Sequence, residues 1–301
     1  MNKIWLPMIV FCGCLFGQAV EKDVYLTGGW GCHGSQEVLD QYEKAGFTLV
    51  QHGALPWLKR KDFQTIHAVS GRPPADVAKP FETADGKLLN SVGLFTHVNF
   101  NAPSVEKWWE EYVPRVAKET RNAEKIAYWK VHNEFGFHSG ELFDYSEGSV
   151  AKYRAWLKNR YGSIEKLNDG WKTTWASFDA VEPPRKDLAN NLANWLEWRR
   201  FTSWNFARYF RETGDKLRKI LPNAKVSDNF YITPGLDGWD LFELAKQTDY
   251  MAMDIYAIGR WDNLMNNMDI ARSAAYAWKK DFLMSDDGIP CGAEQLDYES
   301  L

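Results

Sequence analysis

Carboxyl groups gather just beyond the short apolar runs of this chain. After the run at 126–131 the sequence reads Val131-His132-Asn133-Glu134-Phe135-Gly136, a carboxyl with an amide donor before it and aromatic neighbours on either side. Desolvation in such surroundings could keep a carboxyl protonated near neutral pH, which is what a general acid requires. Two more carboxyls, Asp286 and Asp287, follow Phe282-Leu283-Met284-Ser285. Asp254 and Tyr256 end a further run at 250–256. They could orient a nucleophile by hydrogen bonding, or Tyr256 could only seal the mouth of a barrel. His132 could line the same pocket, or pack with its ring donating to a backbone carbonyl. The six histidines show no His-Glu-x-x-His spacing, so no metal and no cofactor is expected.

These groups need a scaffold that brings strand ends together. Strands are expected at residues 24–27, 47–52, 92–98, 126–131, 224–230, 250–256 and 282–285, with 56–90 less regular. Helices fall between them, at 35–45 closed by Gly46, after a Ser104 cap, near 240–247 and at 263–280. A long helical insertion occupies about 141–222. Ser149 is expected to cap its first helix and Gly162 to end it, Ser163 to cap the second, and a run from about 188 to 221 to stop at Pro222. Repeated βα units with buried strands argue for an α/β fold with a parallel sheet, a (β/α)8 TIM barrel whose chemistry lies at the carboxyl ends of its strands. Gly28-Gly29-Trp30-Gly31 has the wrong spacing for a dinucleotide loop and is expected to shape the mouth of strand one. Only residues 288–301 follow Asp287, too few for strand eight and its flanking helices. The barrel is therefore expected to be incomplete at its C-terminal end, as an excerpt of a longer protein or through an unusual closure, with the excerpt favoured.

Composition narrows the function classes. Among 301 residues, 45% are apolar and 25% charged, which excludes a disordered tail, a collagen-like repeat and a polytopic membrane protein. A net charge of −4 leaves no basic surplus for phosphates, so nucleic acid is not an expected partner. The 15 Trp exceed what an ordinary core needs, and sugar rings stack on such surfaces, although any single ring can simply pack. Residues 1–19 read as a signal peptide, with Lys3, an apolar stretch at 4–16 and Gly17-Gln18-Ala19 as the cleavage site. A lipoprotein anchor at Cys14 is the weaker alternative. The expected location is secreted or periplasmic, with no membrane span. Removal of the leader would leave Cys32 and Cys291, as a pair or as two separate buried thiols.

The segment Trp129-Lys130-Val131-His132-Asn133-Glu134-Phe135-Gly136 resembles the acid/base strand of clan A glycoside hydrolases. Residues 144–147 and 153–168, then Trp171 and Trp175, are similar to the family 42 β-galactosidase catalytic domain, as are Arg199-Arg200-Phe201, Ser227-Asp228-Asn229-Phe230 and Met253-Asp254-Ile255-Tyr256. The resemblance covers roughly residues 23–287. It implies a retaining, exo-acting glycosidase on a terminal β-galactoside or related glycan, with Glu134 as acid/base and Asn133 near the sugar 2-hydroxyl. Asn229, Asp254, Tyr256, His132 and Trp30 are the other candidate substrate-binding residues of this chain. Two departures stand out. Ser285 overlays the family's nucleophilic Glu at the end of strand seven, leaving Asp286, Asp287 or the more distant Glu294 for that role, and Gln51 stands where the family usually has Arg. The alternative implied is a sugar-binding protein without turnover. Family 42 enzymes are often trimers, so an oligomer stays open, with much of the interface expected after residue 301. The cysteine ligands of the zinc cluster in some members are absent.

Overall fold

The computed structural model describes residues 28–29, 36–51, 63–92, 96–120, 123–136, 144–185, 191–231, 240–254 and 261–286. The expected leader at 1–19 and the expected strand at 24–27 lie outside them, as do Cys32 and Cys291. Strand β1 (Gly28–Gly29) is followed by helix α1 (Gln36–Lys44), β2 (Leu49–Gln51) and β3 (Gln64–Ala68). A small antiparallel hairpin, β4 (Phe81–Glu82) with β5 (Leu88–Leu89), precedes α2 (Pro103–Glu119) and β6 (Ile126–Lys130). Helices α3 (Glu147–Tyr161), α4 (Ile164–Trp171) and α5 (Leu192–Arg218) separate β6 from β7 (Val226–Ser227) and β8 (Phe230–Tyr231). The described chain continues through α6 (Leu241–Gln247), β9 (Tyr250–Asp254), α7 (Trp261–Ala277) and β10 (Asp281–Asp286).

The ladders are parallel and run in chain order, β1-β2-β3-β6-β7 and then β8-β9-β10. The pass at 226–231 joins them. Val226 accepts from the Asp249 amide at 2.8 Å, and the Ser227 hydroxyl donates to the Tyr250 carbonyl at 2.9 Å. Leu49, Ile66, Tyr128, Ala252 and Leu283, one from each of five strands, pack into a single buried cluster. Residues from strands so far apart in the order meet only if the sheet curls on itself. This is the interior layer of a TIM-type barrel.

A second, larger core fills the space between sheet and helices, with Trp129 and Val131 facing Trp109, Val113, Phe206 and Phe210. Helix α5 serves two layers. Its early residues Trp198 and Phe201 pack with Tyr153, Leu157 and Trp171 of α3 and α4, whereas Phe206 to Leu217 belong to the barrel layer. The insertion abuts the barrel so closely that a Cβ on Gly148 would lie 2.2 Å from the Asn101 carbonyl oxygen. Asn101 also bonds Ser149 at 2.6 Å and Asn205 at 3.0 Å, tying α3 and α5 to the start of α2.

Three expectations are corrected. The third strand is Gln64–Ala68, within the stretch read as irregular. Two of its polar residues find partners within the sheet: Thr65 donates to the Val50 carbonyl at 2.9 Å, and His67 packs its ring edge-on against Trp129 at 5.0 Å. Among the described residues of 92–98, which are 92 and 96–98, none belongs to a strand. Val92 and Thr96 make one isolated antiparallel bridge, while Val92 and Val98 are buried in the outer core. Neither Ser104 nor Ser149 is a cap. Pro103 starts α2 behind Ala102, its preset φ suiting the first turn, and Ser104 donates to the Val77 carbonyl at 2.7 Å. Ser146 holds the N-cap position of α3, and Ser149 turns inward to the Asp144 carboxylate. Gly162, at φ +75°, does close α3, and Ser163 does cap α4.

Candidate active site

Beyond Lys130 the backbone stays in the sheet for one more residue, Val131 donating to the Ser227 carbonyl at 3.2 Å, and then turns. Glu134 sits in that turn with φ +42°. A non-glycine residue there costs about 1–3 kcal/mol and persists only where its surroundings over-determine it. They do. The Glu134 amide donates to Asn229 Oδ1 at 3.1 Å, and the His132 and Phe135 amides donate to the two oxygens of Asp228 at 3.1 and 3.3 Å. Gly136 donates to the Thr96 hydroxyl at 2.9 Å, which in turn donates to the Gly136 carbonyl at 2.7 Å.

The neighbouring side chains form a polar network across three strand ends. Lys130 Nζ donates to Asn133 Oδ1 at 2.9 Å, Asn229 Nδ2 reaches the same oxygen at 3.4 Å, and Asn229 Nδ2 donates to Asp254 Oδ2 at 2.6 Å. With Oδ1 taken by donors, the Asn133 amide presents Nδ2, a donor, as its other polar group. Lys130, Asp228 and Asn229 are all buried, and Asp254 is 3% exposed. Burial pushes the Asp228 carboxyl up to about 7, against the pull of the Lys130 ammonium and of the backbone amides it accepts from.

His132 goes elsewhere. Its ring stacks on Phe135 at 4.4 Å and Trp109 at 5.3 Å in the layer between sheet and helices, with Nε2 2.8 Å from the Tyr209 hydroxyl. The structure thus takes it away from the other candidates, and its side-chain partner is a tyrosine rather than a backbone carbonyl. Burial pushes its pKa down to about 3, with His97 adding to the shift. A histidine whose folded pKa lies below its unfolded value is neutral in the fold while the unfolded chain already binds the proton. Its contribution therefore destabilises the fold progressively as pH drops from about 6.5 toward about 3. The imidazole resonances of His132 are expected to stay fixed from pH 8 to about 4 in an NMR titration. A midpoint near about 6.5 would overturn the buried neutral assignment.

On the seventh pass the ladder pairs Leu283 with Ala252 and Met284 with Met253, and then Asp286 with Asp254. Ser285 is the extra residue of a bulge, a device that re-aims a strand end beside active sites. The bulge brings Asp286 into register with the Asp254 that Asn229 holds. Gln51 is in register with Ile66 at the end of β2. Trp30, Tyr256, Asp287 and Glu294 lie outside the described residues.

Sequence reasoning passed over Lys130, Asp228 and Thr96. Two of them carried a signal, a lysine inside an apolar parallel strand and an aspartate just past the next strand, since charge in such a place needs a partner. Among the described residues no three His, Cys, Asp or Glu side chains gather to hold a metal. No described helix is long and apolar enough to cross a membrane. A cleft of about 580 Å³ between α3, α5 and α6, lined by Trp156, Arg160, Trp204 and Lys246, lies on the helical layer and includes none of these site residues.

The model of the β-galactosidase family, glycoside hydrolase family 42, matches residues 81–288, most of the chain, including the Glu134 turn and the strand ends that carry Asp228, Asp254 and Asp286. The chain belongs to glycoside hydrolase family 42. Among curated relatives of this family-42 chain, a β-galactosidase of an Arthrobacter species is 30% identical over 203 residues, 64% of this chain and 29% of that protein. The β-galactosidase Bga of Halorubrum lacusprofundi is 30% identical over 185 residues, 59% of this chain and 26% of that protein. The family-42 chain thus spans under a third of the length of these relatives. A solved structure of a β-galactosidase from the Antarctic haloarchaeon Halorubrum lacusprofundi superposes with a TM-score of 0.67 at 22% identity, covering 82% of this chain and 45% of that one. That likeness shows the shared fold.

Proposed function

We propose that this family-42 chain is the catalytic barrel of an exported retaining β-galactosidase acting on terminal β-galactosides. The observation that carries the reading is the arrangement of Glu134, strained at the end of the fourth parallel strand, beside Asn133, Asn229 and Asp254, with Asp286 in register at the seventh. Retaining hydrolysis needs two carboxyl groups about 5–5.5 Å apart across the scissile bond. Glu134 donates its proton to the glycosidic oxygen as the Asp286 carboxylate attacks the anomeric carbon, giving a galactosyl ester and the free alcohol. Glu134, now a carboxylate, takes a proton from water, whose oxygen attacks the same carbon and releases galactose and Asp286. Asn133 Nδ2 is suited to donate to a sugar hydroxyl, the 2-hydroxyl by the family resemblance. Asp286 is one methylene shorter than Glu, and the bulge at Ser285 supplies a backbone displacement in its stead. The leader-like residues 1–19 support export to the periplasm or medium.

A second reading, sugar binding without turnover, draws on Ser285 where the family's nucleophile overlays. Phenyl β-galactoside hydrolysis measured beside titration calorimetry with galactose separates the two, and turnover is the expected outcome. Binding with no release of phenol would favour the second reading. Turnover of glucosides or mannosides in preference to galactosides would keep the mechanism and replace the sugar.

A further inference from the structure

We propose that Asp228 is a positioning residue for the acid/base: its two oxygens hold the backbone amides on either side of Glu134 and so fix the left-handed turn that aims that carboxyl group. The proposal rests on the assignment of Glu134 above. The His132 amide reaches Oδ1 at 3.1 Å and the Phe135 amide reaches Oδ2 at 3.3 Å, so one side chain spans the whole turn. Only a carboxylate offers two acceptors and no donor over that span; an asparagine would accept one amide and set its own N–H₂ against the other. Asp228 has no exposed surface, and a buried carboxylate is a poor source of net stability even beside a cation. Its use is better sought in the conformation it imposes. Glu134 is held at φ +42°, and a released turn would let it fall back to negative φ, swinging its Cα–Cβ bond off the axis set by the strand end.

The charged and titratable groups around Asp228 agree with this role. Burial raises the Asp228 pKa, and Lys130, on the barrel side and without exposed surface, offsets part of that rise by its charge. His132 is held neutral by burial, and Tyr209, raised well above its ordinary pKa by burial and by Asp228, stays a neutral phenol. Lys130 is thus the one cation among these groups, matched to the carboxylate that clamps the turn.

A positioning role for an acid has a kinetic signature that general damage does not. A poor leaving group needs the proton, whereas a nitrated phenolate departs with little help. In Asp228→Asn, kcat/KM on phenyl β-galactoside is expected to fall about 100-fold, and on the 2,4-dinitrophenyl galactoside at least about tenfold less, with KM on either changed by less than about threefold. Equal losses on the two substrates, or no loss on the phenyl galactoside, would overturn the proposal. Amide hydrogen exchange on the unaltered protein decides the matter where the variant does not fold. The His132 and Phe135 amides should be protected well beyond the rate of an open loop, and fast exchange at either removes the clamp. If the unaltered protein turns over neither galactoside, the reading of Glu134 fails first, and the exchange experiment still reports whether Asp228 holds the turn.

Discussion

Glu134→Gln is expected to lower kcat/KM on phenyl β-galactoside by about a thousandfold, close to 4 kcal/mol of transition-state stabilisation at 1.36 kcal/mol per tenfold. Gln keeps the size of the side chain, and the backbone contacts of the turn, Glu134 amide to Asn229 and the flanking amides to Asp228, do not involve the carboxyl being replaced. The loss would therefore isolate proton transfer from folding. Because the first step needs the acid only for poor leaving groups, the 2,4-dinitrophenyl galactoside should lose far less, and azide should then accelerate release by attacking the galactosyl ester from the face that water uses. The product of that rescue is the β-galactosyl azide. An unchanged rate on the phenyl substrate would take Glu134 out of the mechanism.

The second large effect concerns the carboxylate that must face it. Asp286→Asn is expected to reduce turnover about ten-thousandfold, on the order of 5 kcal/mol, because no galactosyl ester can form without the nucleophile. Asp287→Asn should cost far less. Register is the basis of the choice: the bulge at Ser285 pairs Asp286 with Asp254, which Asn229 ties to Asn133 and to the Glu134 turn. In Asp286→Ala, azide can enter the vacated space and displace the aglycone directly, giving the α-galactosyl azide. Opposite anomers from the two variants would assign the two roles independently of rate. Full activity in Asp286→Asn, with the loss falling on Asp287→Asn instead, would move the nucleophile one residue along.

The parallel barrel was legible because its strands are apolar runs. Ile126–Lys130, Tyr250–Asp254 and Asp281–Asp286 stand within a residue or two of where hydrophobicity alone puts them. Gly162 and Ser163 marked the joint between α3 and α4 for an equally local reason, a left-handed C-cap followed by a side-chain N-cap. Gln64–Ala68 escaped notice because Thr65 bonds the Val50 carbonyl and His67 packs on Trp129, contacts that no periodicity records. Residues 92–98 misled for the opposite reason, being apolar enough for a strand while their valines fill the outer core.

Sequence alone determined the family, the barrel class and the segment from Trp129 to Gly136, since each rests on residue types in a contiguous stretch. Tertiary structure decided what surrounds Glu134. Asp228 and Asn229 meet the turn from more than ninety positions away, Asp254 comes from a third strand, and a one-residue bulge sets which aspartate of strand seven stands in register. It also moved His132 into the outer layer, because the chain leaves the sheet after Val131 and its next ring finds Trp109 and Tyr209. Spacing along a chain encodes which face is buried. Which amide meets which carboxylate depends on how separate strands align, and that alignment exists only once the barrel has closed around its core.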